Sequence, residues 1–148
     1  MSAVYGITKT GKKSKHTLDN TGLRRFLVVE MDPKKWELIP PAQQTRFASE
    51  AHYAEAKRDE HTGLLLHLAR FLPLVLVVNS AGKSLHGWFF CANENEARLL
   101  RFMRYAVNHG ADPATWTKSQ LVRMPDGLRD NGKRQAVMFY NPEELTKQ

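Results

Sequence analysis

Two apolar runs separated by a short polar turn constrain this chain more than any other feature. The first run covers residues 74–78, the second covers residues 85–91, and Asn-Ser-Ala-Gly-Lys-Ser stands between them. Apolar runs of this length, bounded by turn-forming residues, are typical of buried strands, and Pro73 ends the segment before the first run. The pattern therefore predicts a β-hairpin with a polar, basic tip.

The tip of this predicted hairpin carries groups that suit a phosphate. Lys83 supplies a positive charge, and Ser84 and His86 stand two residues apart, so they share one face of the departing strand. A Walker A loop is excluded, because Val77 stands where that motif needs its first glycine and because a strand follows Ser84 instead of a helix. A plain turn with His86 as a half-buried structural histidine remains the alternative.

A second polar pair ends another predicted strand. The apolar run at residues 25–31 stops at Asp32-Pro33, and the spacing of Glu30 and Asp32 aims both carboxylates at one face. Neighbouring carboxylates at the end of an apolar strand repel each other, and a bound cation would relieve that cost, although simple exposure would also do so. Carboxylates for metal together with a basic turn for phosphate indicate nucleotidyl transfer.

Helical spacing dominates two other parts of the chain. Apolar residues recur in two groups within residues 42–71, which predicts two helices divided near residues 61–63. Asn93, with Glu96 three residues later, predicts the N-cap of a third helix that continues to Gly110.

Two further strands complete the predicted fold. They lie at residues 120–124 and 135–140, with a turn-rich loop at residues 125–132 between them. The resulting order is β, αα, ββ, α, ββ. Such an order predicts an α+β domain with helices packed on one face of a largely antiparallel sheet.

Composition restricts the setting of this domain. A chain of 148 residues fits one domain, which we place at residues 23–148 after a flexible basic leader at residues 1–22. A net charge of +7 and a sequence pI of about 9.7 favour polyanion partners. Cys91 is the only cysteine, which excludes intramolecular disulfides. No signal segment or membrane-spanning run is evident, so we expect a cytoplasmic protein with no membrane partner.

The polar motifs resemble those of the archaeo-eukaryotic primase superfamily. Residues 26–32 resemble its first motif, an apolar strand that carries two acids one residue apart, and Ser84-Leu85-His86 resembles its Ser-x-His second motif. Residues 80–89 closely resemble a phrase found in primase-polymerase proteins of bacteria and mobile elements. Residues 110–113 and 120–127 resemble the third region, in which an acid precedes an Arg-x-Pro-Gly-like segment, although Asp126 stands where that segment tends to have glycine.

The resemblance covers roughly residues 25–142 and implies an RRM-like primase catalytic core. It implies that Glu30 and Asp32 bind Mg²⁺ or Mn²⁺, with Asp112 as the third carboxylate and Asp126 or Asp130 as alternatives to it. Oxygen ligands of this kind favour those metals over zinc. The residues implied to contact the incoming nucleotide are Ser80, Lys83, Ser84, His86, Gln120 and Arg123.

The leading hypothesis is a DNA-directed nucleotidyltransferase of the primase-polymerase type. It would join nucleoside triphosphates on a single-stranded DNA template, working with a replicative helicase or an accessory primase module. Basic segments at residues 9–15 and 129–134 would follow the nucleic-acid backbone. Two alternatives remain: a non-catalytic nucleic-acid-binding module with a primase-like core, and a metal-dependent nuclease.

Other conspicuous residues have structural explanations. The three tryptophans, Trp36, Trp88 and Trp116, are expected to pack in the core or at its rim, although each could stack on a base. Cys91 is expected to be buried and inert, and the histidines other than His86 lack metal-ligand spacing.

Overall fold

The computed structural model describes residues 6–8, 10–14, 23–117, 122 and 124–146, which form a mixed α+β fold. The strands are β1 (Gly6–Ile7), β2 (Lys13–Ser14), β3 (Phe26–Met31), β4 (Leu74–Asn79), β5 (Leu85–Phe90) and β6 (Ala136–Tyr140). The helices are α1 (Pro41–Gln44), α2 (Glu50–Leu68) and α3 (Glu96–Asn108), and single 3₁₀ turns cover Trp36–Leu38, Pro113–Trp116 and Pro142–Leu145.

Four strands form one antiparallel sheet in the order β3, β5, β4, β6. β4 and β5 form the predicted hairpin, and β3 pairs with the whole of β5, from Phe26 opposite Phe90 to Met31 opposite Leu85. The strands predicted at residues 25–31, 74–78, 85–91 and 135–140 are confirmed to within one residue at each end. The α+β class and the antiparallel sheet are confirmed with them.

Helices α2 and α3 cover one face of the sheet. The buried cluster beneath them joins alternate residues of the strands to the inner faces of both helices, including Leu27, Val29, Met31, Leu85, Phe89, Leu65, Leu68, Leu99, Phe102 and Met103. Gly87 belongs to this covered face, because a Cβ added there would lie 2.6 Å from Leu65 Cδ2. Since side chains alternate along a strand, Glu30 and His86 lie on the opposite face, which neither helix covers.

Helix α2 corrects the prediction of two helices divided near residues 61–63. The helix continues through Gly63 without interruption, from the Ser49 N-cap to Leu68. A glycine inside a helix destabilises it by about 1 kcal/mol relative to alanine, but it neither removes a hydrogen bond nor clashes, as proline would. Burial of Leu65 and Leu68 against the sheet outweighs this effect.

The start of α3 corrects a second prediction. The N-cap is Asn95 rather than Asn93, and its side chain accepts a hydrogen bond from the Arg98 N–H at 2.8 Å. Both positions carry asparagine, and Glu94 N donates to Cys91 O in a turn that delays the helix. The end of the helix before Gly110, which has a φ of 101°, agrees with the prediction.

The predicted strand at residues 120–124 is not found at residues 122 and 124, the two of its positions that the structure describes. Met124 instead opens a turn, since its carbonyl accepts from Gly127 N at 3.2 Å and Asp126 has a φ of 60°. Its other positions lie outside the described residues.

The described part of the predicted leader contains a small β-ribbon. β1 and β2 pair through a turn at Gly11, where φ is 78° and the Thr8 N–H donates to Lys12 O at 2.8 Å. None of the described helices is long and apolar enough to cross a membrane.

Candidate functional site

The tip of the β4–β5 hairpin is a tight, internally bonded turn. Ser80 N donates to Ser84 O at 3.0 Å, and the hydroxyls of these two serines lie 3.0 Å apart. Asn79 Oδ1 accepts from Ala81 N at 3.0 Å, and Ala81 adopts a φ of 58°, a left-handed conformation that is uncommon for alanine. Both serines are buried and their contacts stabilise the turn, and their role as nucleotide contacts stays a prediction.

His86 and Glu30 face each other across the two central strands. They occupy opposed positions in the β3–β5 register, and His86 Nε2 lies 3.4 Å from Glu30 Oε1. His86 is 3% exposed, and neither of its ring nitrogens has a hydrogen-bond partner of good geometry among the described residues. A buried polar side chain that lacks such a partner is rare in folded proteins and calls for a ligand, water or ion. This geometry is consistent with the prediction that His86 and Glu30 lie in one nucleotide site.

Asp32 and Lys83 form an ion pair beside that contact. Lys83 Nζ lies 2.9 Å from Asp32 Oδ2 and donates a hydrogen bond to Pro33 O at 3.1 Å. Both side chains are more than a third exposed, so the pair contributes about 0 to 1 kcal/mol to stability. A pair this weak can be exchanged for stronger interactions with a ligand.

The backbone of Asp112 lies beside the backbone of Glu30. Ala111 forms an isolated bridge with Met31, and the Asp112 N–H donates to Glu30 O at 2.9 Å. Its carboxylate, however, accepts from Ala114 N at 2.8 Å and caps the turn at Pro113–Trp116. The structure thus explains why an acid stands there without requiring it to bind metal.

No three histidine, cysteine or acidic side chains of the described residues are grouped as a metal ion requires. Glu30 and Asp32 are nevertheless oxygen donors on one face of β3 and its continuation, which suits Mg²⁺ or Mn²⁺. Asp126, an alternative third ligand, pairs with Arg134 at 2.9 Å in an exposed position. The predicted three-carboxylate set stays a prediction.

Arg129 reaches the hairpin tip, and the sequence reasoning missed it. Its Nη1 donates to Ser80 O at 3.4 Å and Ala81 O at 3.3 Å, and a Cβ added at Gly82 would lie 3.0 Å from the same nitrogen. The sequence shows that Arg129 belongs to a basic run, but it does not show which basic residue of that run contacts the hairpin. Among the described residues, Lys83 and Arg129 therefore both bring positive charge to the tip.

A cleft of about 340 Å³ continues the site beyond Asp32. Its basic lining residues are Lys34, Arg46, Lys57, His61 and His109, and Phe47 and Tyr53 add aromatic surface. Burial lowers the pKa of His61 below its usual 6.5, with Glu60 opposing that shift. Lys34 and Arg46 therefore add positive charge beside Asp32, whereas Lys57 is ion-paired with Glu60, which also lines the cleft.

Two of the predicted nucleotide contacts, Gln120 and Arg123, lie outside the described residues. The tryptophans make packing contacts as expected: Trp36 with Phe47 and Tyr53, Trp88 with Phe26, and Trp116 beneath the Arg24 guanidinium.

Cys91 is 2% exposed, and burial raises the pKa of its thiol to about 11, which confirms that it is buried. A thiol with so high a pKa carries almost no thiolate at neutral pH, and this agrees with the expectation that it is inert.

Known proteins supply no further guide to this arrangement. No protein-family model matches the chain, and neither the curated proteins nor the solved structures compared with it contain a significant match. Functional inference therefore rests on the motifs and on the geometry around Glu30, Asp32, Lys83 and His86.

Proposed function

We propose that this chain is a primase-polymerase type nucleotidyltransferase core. It would join nucleoside triphosphates on a single-stranded DNA template through attack of a 3′-hydroxyl on the α-phosphate, with release of pyrophosphate. The proposal includes the finer assignment of the fold to the RRM-like primase core, and it includes a helicase or accessory primase module as the working partner.

The supporting observation is the meeting of two motifs that are distant in sequence. Fifty residues separate Asp32 from Lys83, yet these side chains pair, and Glu30 faces His86 in the neighbouring strand. Nothing in a local resemblance requires its two motifs to meet on one face of a sheet. Their meeting is what a shared nucleotide site needs.

Each side chain has a role that follows from its chemistry. Lys83 and Arg129 would bind the triphosphate at the tip, and His86 would donate to a phosphate oxygen from within the sheet face. Ser80 and Ser84 would hold the turn that presents backbone N–H groups. Glu30, Asp32 and Asp112 would hold Mg²⁺ or Mn²⁺, which neutralises charge that develops on phosphate oxygens.

The Asp32–Lys83 pair suggests how the site would change when a substrate arrives. A metal–triphosphate complex brings a cation for Asp32 and an anion for Lys83, so both members of the pair find stronger partners. Because the exposed pair contributes about 0 to 1 kcal/mol, breaking it hardly opposes binding.

One observation favours a rival function, a non-catalytic nucleic-acid-binding module. Asp32 is already paired with a lysine, Glu30 lies against His86, and the described residues form no three-ligand group. A binding module would retain these contacts for structure and would need no metal.

Extension of primed and unprimed single-stranded DNA with labelled nucleotides, in Mg²⁺ or Mn²⁺, tests the proposal. The variants are Glu30→Ala/Asp32→Ala and a matched control, Glu55→Ala/Asp59→Ala, which removes two exposed carboxylates from α2. We expect metal-dependent products from the wild type and the control only.

Equal synthesis by the site variant would contradict the proposal. Absence of synthesis by every protein, together with metal-independent DNA binding, would support the binding module.

A further inference from the structure

The outer surface of the helical layer contains a second basic depression, lined by residues other than those of the hairpin tip. It is a cleft of about 440 Å³ between the end of α2 and the exposed side of α3. We name it the arginine cleft after Arg70, Arg98 and Arg101, which line it with Phe71, Phe102 and Tyr105. No acidic residue is among the described residues that line it.

Within the described part of the chain, only one of the three arginines is ion-paired. Arg98 pairs with Glu94 at 2.8 Å and donates to Phe71 O at 3.1 Å. Arg70 and Arg101 are both exposed and form no ion pair or side-chain hydrogen bond with any described residue. Cations held close together around a concave surface repel one another, and a polyanion would relieve that repulsion.

Exposed aromatic rings lie beside these cations. Phe71 is 48% exposed and Tyr105 is 37% exposed, with their ring centroids 5.5 Å apart. The Tyr105 ring is also held by His109, at a centroid distance of 4.3 Å, and by a hydrogen bond of 2.8 Å between its hydroxyl and His67. Rings fixed in this way lose little entropy when a planar group stacks on them, and a stacked base contributes about 1 to 3 kcal/mol.

We propose that the arginine cleft binds single-stranded nucleic acid, with phosphates at Arg70 and Arg101 and a base against Phe71 or Tyr105. A single strand fits better than a duplex, because only unpaired bases offer their faces to aromatic rings. An acidic protein would satisfy the arginines but would leave the exposed rings without a specific role.

The position of the cleft gives this surface a distinct use. α3 packs on the sheet face opposite Glu30 and His86, so the arginine cleft lies on the other side of the sheet from those two side chains. A strand bound there would not compete with nucleotide at the tip. The inference does not depend on catalysis, and it holds equally for a binding module.

Binding of a fluorescently labelled 20-nucleotide single-stranded DNA to the full chain, in EDTA and without nucleotide, tests the charge component. For Arg70→Ala/Arg101→Ala, we expect the slope of log affinity against log salt to become shallower by about 1.4, since each phosphate contact contributes about 0.7 for single strands. Arg58→Ala is the control, because it removes an exposed helical arginine that lies outside the cleft and forms no ion pair with any described residue, and it should leave the slope unchanged.

Substitution of Tyr105 tests the stacking component separately. Tyr105→Leu should weaken binding about tenfold without changing the salt slope, whereas Tyr105→Phe keeps the ring and should bind as the wild type does. Thermal unfolding of each variant confirms that it is folded.

An unchanged salt slope for the double arginine variant would overturn the proposal. So would equal affinity for a duplex of the same length, or equally effective competition by an acidic peptide, which would identify the surface as a protein-docking site.

Discussion

The two faces of the central sheet differ in character, although the same strands form both. On the covered face, Val29 and Phe89 are fully buried beneath α2 and α3. On the other face, Glu30 and His86 are polar and oppose each other. Because side chains alternate along a strand, one set of positions packs in the core and the other carries the proposed chemistry. A substitution on the covered face should therefore change stability, and a substitution on the other face should change activity.

His86→Gln should show the largest loss of activity with little loss of stability. We expect kcat/KM for primer extension to fall about 100-fold or more, because a preorganised donor to the phosphate is lost at a buried site. The midpoint of thermal unfolding should change little, since neither ring nitrogen of His86 has a hydrogen-bond partner among the described residues that the substitution would remove. Steady-state extension kinetics and thermal unfolding measure the two effects on the same sample.

The matched control for that variant is His52→Gln, which changes an exposed histidine near the start of α2. Its activity should equal that of the wild type. Loss of activity in both variants, or loss of folding in His86→Gln, would remove the distinction between the two faces.

Gly87→Ala reverses the pattern on the covered face. The added Cβ would lie 2.6 Å from Leu65 Cδ2, and overpacking of this kind destabilises by about 1 to 3 kcal/mol. Gly63→Ala provides the contrast, because nothing lies within 4 Å of its added Cβ and the helix should gain about 1 kcal/mol. Urea unfolding of both variants gives the comparison, and equal stability would show that α2 does not press on Gly87.

His61 belongs to α2, which packs on the covered face, and it also lines the cleft beside Asp32. Burial lowers its pKa below 6.5 in the folded protein, so the unfolded chain takes up a proton first as the pH falls. The free energy of unfolding should therefore decrease below about pH 6.5. His61→Gln should flatten this dependence in urea titrations, and an unchanged pH profile would contradict the burial of the imidazole.

Ala81→Gly should have the smallest effect. Ala81 occupies a left-handed conformation with a φ of 58° at the hairpin tip, which glycine adopts without steric strain. The gain is partly offset by the larger entropy of glycine in the unfolded chain, so we expect a net stabilisation of about 0.5 kcal/mol. Chemical unfolding measures it, and a destabilised variant would show that the turn is not strained.

The sheet is predictable from the sequence because alternation and turn chemistry are local signals. The apolar runs around Val29 and Phe89 indicate strands, and the polar segment at residues 79–84 indicates the hairpin turn. The positions of Lys83 in that turn and of His86 in the strand after it are also evident from the sequence. That their side chains meet Asp32 and Glu30 depends on the pairing of β3 with β5, which the two runs do not reveal separately.

Other features depend on contacts between distant residues. Gly63 resembles a helix break, but burial of Leu65 and Leu68 keeps α2 continuous. Arg129 reaches Ser80 across nearly fifty residues, and no local pattern distinguishes it from the other cations of its loop. The arginine cleft likewise forms only when Arg70, just beyond the end of α2, meets α3.

The most direct test of a metal and nucleotide site on the sheet face that carries Glu30 and His86 is a titration with Mn²⁺ and a nucleoside triphosphate, followed by amide NMR. Paramagnetic broadening should concentrate at Glu30, Asp32 and His86, reverse with EDTA and be absent with Mg²⁺, while Arg101 and Tyr105 in the helical layer stay sharp. Broadening centred on other residues, or none at saturating nucleotide, would contradict the proposed site.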